Sequence, residues 1–383
     1  MKALHLLKTS VGATWALRQV RELVNLGVNV HVALPDGPLV HAYEQVGATV
    51  HLGQYSLPMA SPHSWPGLFR EFRDLVNEIS PDVIHSHFVG TTLTMRMALW
   101  KKHQTPRVFQ VPGPLHLEHL IYRRAELAIA GPSDYWMGSC VWTCDRYRES
   151  GVDDSRIFLA YYGSDLESFV RKPAGKLRAE LGLSSETKVI GMVAYMYAPK
   201  RYLGQRRGLK GHEDLIDALG LCFQRDPNLV AVFVGAAWNG ATSYEEQVKE
   251  YARQRVGDRA IFLGTRSDVS EIYPDFDVVV HPSHSENVGG AAESLILGVP
   301  TIATDVGGFP DLIKPGGTGW LVPPKDPEAL ASAIGDALAD PVRAQQMADE
   351  GALLARQLMD VRNNARDVLN AYERMNELRS AQL

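Results

Sequence analysis

Along the first 160 residues, short apolar runs alternate with stretches whose apolar positions recur every three or four residues. Residues 2–7 make a run of strand length, and 13–26 keep a helical spacing until Gly27 stops it. A second strand, 28–33, is broken by Pro35, Gly37 and Pro38. A helix over 37–46 and a strand over 49–52 follow. Leu68, Phe72, Leu75, Val76 and Ile79 line one face of a helix over 68–79, which ends before Pro81 and leads into a strand at 82–85. The pattern loosens over 164–185, where Arg171, Lys172, Pro173 and Gly175 cluster. It restarts with strands at 188–193, 229–235, 260–263, 278–281 and 301–304, separated by helices from His212, over 244–255 and over 291–297. Residues from 327 onward read as polar surface helices. Strands that alternate with helices predict parallel sheets covered on both faces. The expected fold class is α/β, with two doubly wound domains, 1–168 and 169–360, and a helical tail, 361–383. Ligands in such sheets bind at the carboxyl ends of the strands.

Composition narrows the function. Apolar residues make up 45% of the 383 and charged residues 22%, the balance of a folded globular chain. A formal charge of −5 offers no basic field for nucleic acid. Cys140, Cys144 and Cys222 show neither a disulfide framework nor zinc spacing, which fits a reducing, cytoplasmic setting. The amino-terminal apolar run is too short for a secretory signal, and no eighteen apolar residues run together.

The chemistry concentrates in HPSHSENVGGAAESLILGVPTIATDVGGFP, residues 281–310. It reads strand, loop, helix, strand, with Glu286 in the loop and Glu293 in the first turn of a helix that opens near Ala291. Small residues from Asn287 through Val288, Gly289 and Gly290 to Ala291 let backbone N–H groups approach a ligand, and a helix N-terminus favours an anionic one. A carboxylate accepts paired hydroxyl hydrogen bonds from a ribose or a sugar. By local pattern alone the segment reads equally as a Gly-rich turn, with Glu293 stabilising its helix.

The segment is similar to the donor site of the family 4 retaining glycosyltransferases, which carry the GT-B architecture of two facing doubly wound domains. Pro282 and Ser283 precede Glu286, Glu293 lies in the helix, and Gly298 and Pro300 lead into the next strand. The resemblance implies that Glu286 contacts the donor sugar and Glu293 the ribose. It also implies that the backbone of 287–291 holds sugar hydroxyls and phosphate. Six residues intervene between the glutamates, where the family has seven. The resemblance extends through TDVGGFPDLIKPGGTGWLVPPKDPEALASAI (304–334), PDVIHSHF (81–88), GSDLESF (163–169) and IFLGTRSDV (261–269). In the last of these, Thr265 and Arg266 would contact the base.

The family's phosphate clamp is an arginine at a strand end and a lysine just before glycine. Lys210-Gly211 supplies the lysine, and Tyr195 stands at the arginine position. The insertion APKRYLGQRRG brings Lys200, Arg201, Arg206 and Arg207, of which Arg206 or Arg207 would replace the arginine; the alternative is a solvated basic loop. Gly12 resembles the glycine-rich loop near the donor phosphates, and His116 is the candidate for the histidine that touches the donor sugar. Asp275-Phe276-Asp277 has an acid-x-acid pattern, but it leads straight into a strand. The pairs His85/His87 and His281/His284 have no third ligand at useful spacing, so no metal and no cofactor are expected.

The resemblance therefore implies a retaining glycosyltransferase that takes a UDP- or GDP-linked sugar to a glycan, glycolipid or small-molecule acceptor. Glu286, Lys210 and His116 would be the catalytic groups. The expected tail crosses back onto the first domain. Arg70, Arg73, Arg96, Lys101 and Lys102 could give that domain a basic face for peripheral contact with an anionic membrane, or be scattered surface charge. The alternatives are a non-hydrolysing nucleotide-sugar epimerase of the same fold and a silent sugar-nucleotide-binding module.

Overall fold

A computed structural model describes residues 1–380 and divides the chain into two units. The first joins Met1–Asp165 to the segment from Leu358 onward; the second is Leu166–Gln357. The boundaries fall three residues before the expected ones.

The first unit's strands are β1 Lys2–Leu6, β2 Asn29–Leu34, β3 Thr49–Leu52, β4 Val83–Ser86, β5 Arg107–Val111, β6 Asp134–Gly138 and β7 Ile157–Leu159. They form one parallel sheet in the order β3-β2-β1-β4-β5-β6-β7. The second unit's strands are β8 Lys188–Val193, β9 Leu229–Val234, β10 Ala260–Gly264, β11 Val278–His281, β12 Thr301–Thr304 and β13 Trp320–Val322. Their order is β10-β9-β8-β11-β12-β13, again parallel. Each sheet reverses direction beside its first strand, and that switch point opens a crevice at the carboxyl edge. These are the two doubly wound domains of the GT-B fold.

The strands form because both faces of each sheet are covered. Val278, Val279 and Val280 are all fully buried, so the run shows no polar alternation. The helix Val361–Ser380 buries Ala365, Val368, Ala371, Tyr372 and Met375 against the first unit's sheet, so this part of the tail is amphipathic rather than a polar surface helix. Among the described residues no helix is long and apolar enough to cross a membrane.

Two sequence expectations change here. Arg96 is not on a basic face: it is buried, with its guanidinium on the carboxylates of Glu126 and Asp134. Asp134 also takes Arg107 Nη2 at 2.8 Å, and all four side chains are inaccessible. Parallel pairing also supplies what spacing along the chain did not. β1 lies beside β4 with His5 opposite His85, so a third imidazole joins His85 and His87.

The arginine–carboxylate cluster generates a stability prediction. Asp134→Asn leaves two buried guanidinium groups undercompensated and should cost about 3–5 kcal/mol. Arg146→Ala, which breaks a solvent-exposed pair with Glu149, should change stability by less than about 0.5 kcal/mol. Denaturant midpoints of the two variants test the contrast.

Candidate active site

A cavity of about 280 Å³ opens at the carboxyl ends of β8, β9, β10 and β11, at the second unit's switch point. Its wall includes Tyr195, Tyr197, Lys210, Thr265, Arg266, His281, Ser283, Glu286, Gly290 and Glu293.

Two loops meet to form its polar side. The Lys210-Gly211 turn precedes the helix His212–Arg225, and Gly211 adopts φ +73°. A Cβ at Gly211 would stand 1.9 Å from the Pro282 carbonyl oxygen, so glycine is required on two counts. His284 N–H donates to the Leu209 carbonyl at 2.8 Å, which ties the two loops together. The consequence is that Lys210 Nζ meets the Glu286 carboxylate in a direct ion pair. The ammonium also lies 5.8 Å from the centre of the Tyr197 ring. Glu286 is held from behind by Gly289, where φ is +41° and a Cβ would come within 2.8 Å of its Cδ. Asn287 N–H donates to Glu286 Oε1 at 3.1 Å, and Gly308 N–H to the Asn287 carbonyl at 2.8 Å.

The helix Gly289–Ile296 starts two residues before the expected opening at Ala291, so Glu293 stands in its second turn. The terminal dipole falls off over the first turn and does not explain a glutamate there. Glu293 instead lines the cavity. Gly290 lines it too, whereas Asn287, Val288, Gly289 and Ala291 do not contribute to its wall.

The basic insertion is placed differently from the clamp expected of it. Arg206 is exposed and off the cavity wall. Arg207 turns away to Asp214 (2.5 Å) and Asp217 (2.7 Å), and Asp214 also receives His284 Nε2. Burial would raise the Asp214 carboxyl, but His284 and Arg207 hold it below the usual carboxylate range. The wall's cations are thus Lys210 and Arg266. Arg266 is engaged by Asp268 at 2.7 Å and Glu180 at 2.7 Å, which keep it charged. Tyr195 lines the cavity with its ring 5.1 Å from Trp238, which also packs on Tyr197.

Gly12 and His116 belong to the first unit. Gly12 has φ +72° in the turn after β1. His116 packs on Phe109, and burial lowers its pKa to about 4. Asp275 and Asp277 serve the fold: Asp275 accepts the N–H groups of Gly175 and Leu177, and Asp277 pairs with Arg178.

Sequence reasoning passed over His281 as a wall residue. Its Nε2 lies 3.1 Å from Ser294 Oγ, and desolvation lowers its pKa to about 3, so the cavity floor is a neutral imidazole. The i to i+13 pairing of a strand-end histidine with a helix serine has no local sequence signature.

Comparison with known proteins agrees with the fold. A model of the group 1 glycosyl transferases matches residues 201–353, and one of glycosyltransferase family 4 matches 12–168. The chain belongs to the family 4, group 1 glycosyltransferases. It is 31% identical over 212 residues to a D-inositol 3-phosphate glycosyltransferase of Corynebacterium urealyticum, covering 52% of this chain and 48% of that one. It is 27% identical over 218 residues to the lipopolysaccharide core biosynthesis mannosyltransferase LpsB of Rhizobium meliloti, covering 55% and 59%. The chain thus matches about half the length of these relatives. The crystal structure of Anabaena HepE with UDP and glucose superposes with a TM-score of 0.79 at 22% identity, over 97% of this chain and 98% of that one.

The loop contact carries a prediction of its own. Gly211→Ala should cost at least about 1–2 kcal/mol for the left-handed backbone alone. The clash should also push the turn off Pro282 and separate Lys210 from Glu286. A melting curve and a crystal structure of the variant check both.

Proposed function

We propose that this protein is a retaining glycosyltransferase that uses a UDP- or GDP-linked hexose. The observation that carries the reading is the Lys210–Glu286 ion pair on the wall of a switch-point cavity that also presents Glu293. The HepE complex with UDP and glucose and the names of the sequence relatives support the donor class. In the reaction proposed, the bond from the anomeric carbon to the diphosphate oxygen breaks, and a bond to the acceptor oxygen forms on the same face. The acceptor's proton passes to the departing diphosphate. Lys210 stabilises the charge that grows on that leaving group, so its main effect falls on the transition state. Diphosphate would draw Lys210 from Glu286, which frees the carboxylate to accept sugar hydroxyls. On this reading Lys210 supplies the charge that a divalent metal would otherwise bring to the diphosphate, so transfer would need none.

A thermal-shift screen of UDP, GDP and their sugars identifies the donor, because a ligand that binds only the native state raises the melting temperature. Incubation of the sugar nucleotide alone excludes an epimerase if the sugar is unchanged. Lys210→Ala should lower kcat by about 10²–10³ and donor affinity by less. Loss of affinity with kcat intact would make it a binding residue only. Excess chelator added to the folded enzyme should leave the rate unchanged.

The two glutamates should separate. Glu293→Gln should weaken the free nucleoside diphosphate and the whole donor alike, by tenfold or more, since a buried hydrogen bond to a charged group contributes about 1.5–3 kcal/mol. Glu286→Gln should spare the free nucleotide and weaken only the sugar-bearing donor. Calorimetry with each ligand measures the contrast, and unchanged donor binding and transfer in Glu286→Gln would remove that residue from the site.

A further inference from the structure

A second cluster of titratable groups lies in the core of the first unit. His5 on β1, His85 on β4 and His87 just past β4 are fully buried. Residues 85 and 87 point to one face of their strand, and His5 faces them across the parallel ladder. Tyr372, from the helix Val361–Ser380, closes over them.

The hydrogen bonds form a single line. The Gln110 side chain lies beside His85. His85 Nδ1 meets Tyr372 Oη at 2.5 Å, and Tyr372 Oη meets His5 Nε2 at 3.1 Å. His5 Nδ1 meets His87 Nε2 at 2.9 Å, and His87 Nδ1 meets Tyr162 Oη at 3.0 Å. Tyr162 donates to the Gln110 carbonyl at 3.2 Å. Gln110 Nε2 is committed to the Ala160 carbonyl at 2.8 Å, so both ends of the line are acceptors. The line has five hydrogen bonds, and its five neutral groups bring one proton each, all of which those bonds use. His85 Nε2 is therefore left with a lone pair and no donor. Gln110 Oε1 and His85 Nε2, both buried without a hydrogen-bond partner, show where the deficit falls. One added positive charge would complete the pairing. As a proton it would place an imidazolium in a dry core, and complete burial holds all three rings on their neutral side.

We propose that His5, His85 and His87 bind one divalent transition-metal ion of the zinc class, taken up as the first unit folds. Neutral imidazoles are the ligands such ions select. One ring nitrogen from each histidine lies within 4.8 Å of the others, so a small inward rotation of the rings would bring all three onto one ion. The 2.9 Å between His5 Nδ1 and His87 Nε2 is near the roughly 3.3 Å that separates two nitrogens on one tetrahedral ion. The outer partners fix the tautomers. Tyr162 gives its own proton to Gln110, so it accepts His87 Nδ1–H, and His87 Nε2 turns a lone pair inward. Once the ion supplies the charge, His85 Nε2–H donates to Gln110 Oε1 and Nδ1 faces inward; Tyr372 Oη accepts His5 Nε2–H and releases its own proton to solvent as the ion enters, so a tyrosinate is the fourth donor and the divalent ion adds one net charge. Hydrogen bonding of the non-ligating nitrogens in this way orients a metal-bound histidine. The role is structural, because enclosed ligands leave no open position for substrate. The metal ties β1, β4 and the helix Val361–Ser380 together.

The test uses the full chain without a histidine tag, refolded from denaturant with Zn²⁺, with Co²⁺ or without metal, then dialysed against EDTA. We expect about one zinc per chain, retained while folded and released by guanidinium, because a buried site exchanges only on unfolding. The cobalt form should show the intense visible bands of a four-coordinate site. His87→Gln should lower retained metal at least tenfold. His51→Gln, which removes the partly exposed His31–His51 pair on β2 and β3, should leave it unchanged. The proposal is overturned if folded wild-type protein holds less than about a tenth of an equivalent under every condition, or if EDTA strips the metal from it. In either case a proton or a bridging water meets the pairing deficit. The wild-type count decides even if His87→Gln fails to fold, and it stands whatever the donor proves to be.

Discussion

Where Gly211 passes Pro282, two loops that follow different strands of one sheet come as close as backbone atoms can. The gap admits no Cβ, and the hydrogen bond from His284 to Leu209 keeps it closed. That single approach converts a lysine after β8 and a glutamate after β11 into one ion pair on a cavity wall. The surrounding choices serve the same end. Gly289 leaves room for the Glu286 carboxylate, and Gly307, whose Cβ would stand 1.7 Å from the Glu286 carbonyl, leaves room for its backbone. Parallel strands force this design, since their loops share one edge and must be packed against each other to hold a side chain still.

The charges around the cavity are arranged so that few are left to compete for an anion. Arg207 is taken by Asp214 and Asp217, and Arg266 by Asp268 and Glu180. Lys210 is engaged too, but by one carboxylate that itself lines the cavity. An anionic ligand can therefore exchange with Glu286 without leaving a charge buried and alone. The same exchange at Arg207 would take the guanidinium from two aspartates at once, leaving Asp214 to His284 and Asp217 to Tyr251 and Arg255.

The fold was legible because strand and helix periods differ, and the six-residue runs at β2, β8 and β9 declare themselves. Strands β5, β6, β7 and β13 were not read from the pattern: Arg107–Val111 and Asp134–Gly138 each open on a charge that pairs with the other's across the sheet, and the other two are three residues long. The paired glutamates and Lys210 were legible through their order along the chain. Arg207 was read as available because charge runs say nothing of their partners, and Asp214 and Asp217 become its partners only when the next helix turns them toward it. His5 was invisible for the reason that makes parallel sheets hard to read: its neighbours are set by strand order, and strand order is not a local property.

That same non-locality shapes how the first unit can be completed. Ala365, Val368, Ala371, Tyr372 and Met375 belong to its core, and Tyr372 joins histidines on β1 and β4, yet the whole second unit lies between them in sequence. The second unit is continuous and can close its sheet from its own residues. The first must hold a half-covered sheet, with three histidines lacking Tyr372, until the helix Val361–Ser380 docks. An apolar helix face alone would dock there in any rotation that buries enough surface. A tyrosine hydroxyl that must reach between two imidazoles permits one register. The polar line thus costs desolvation and returns specificity, which a smoother apolar contact would not supply.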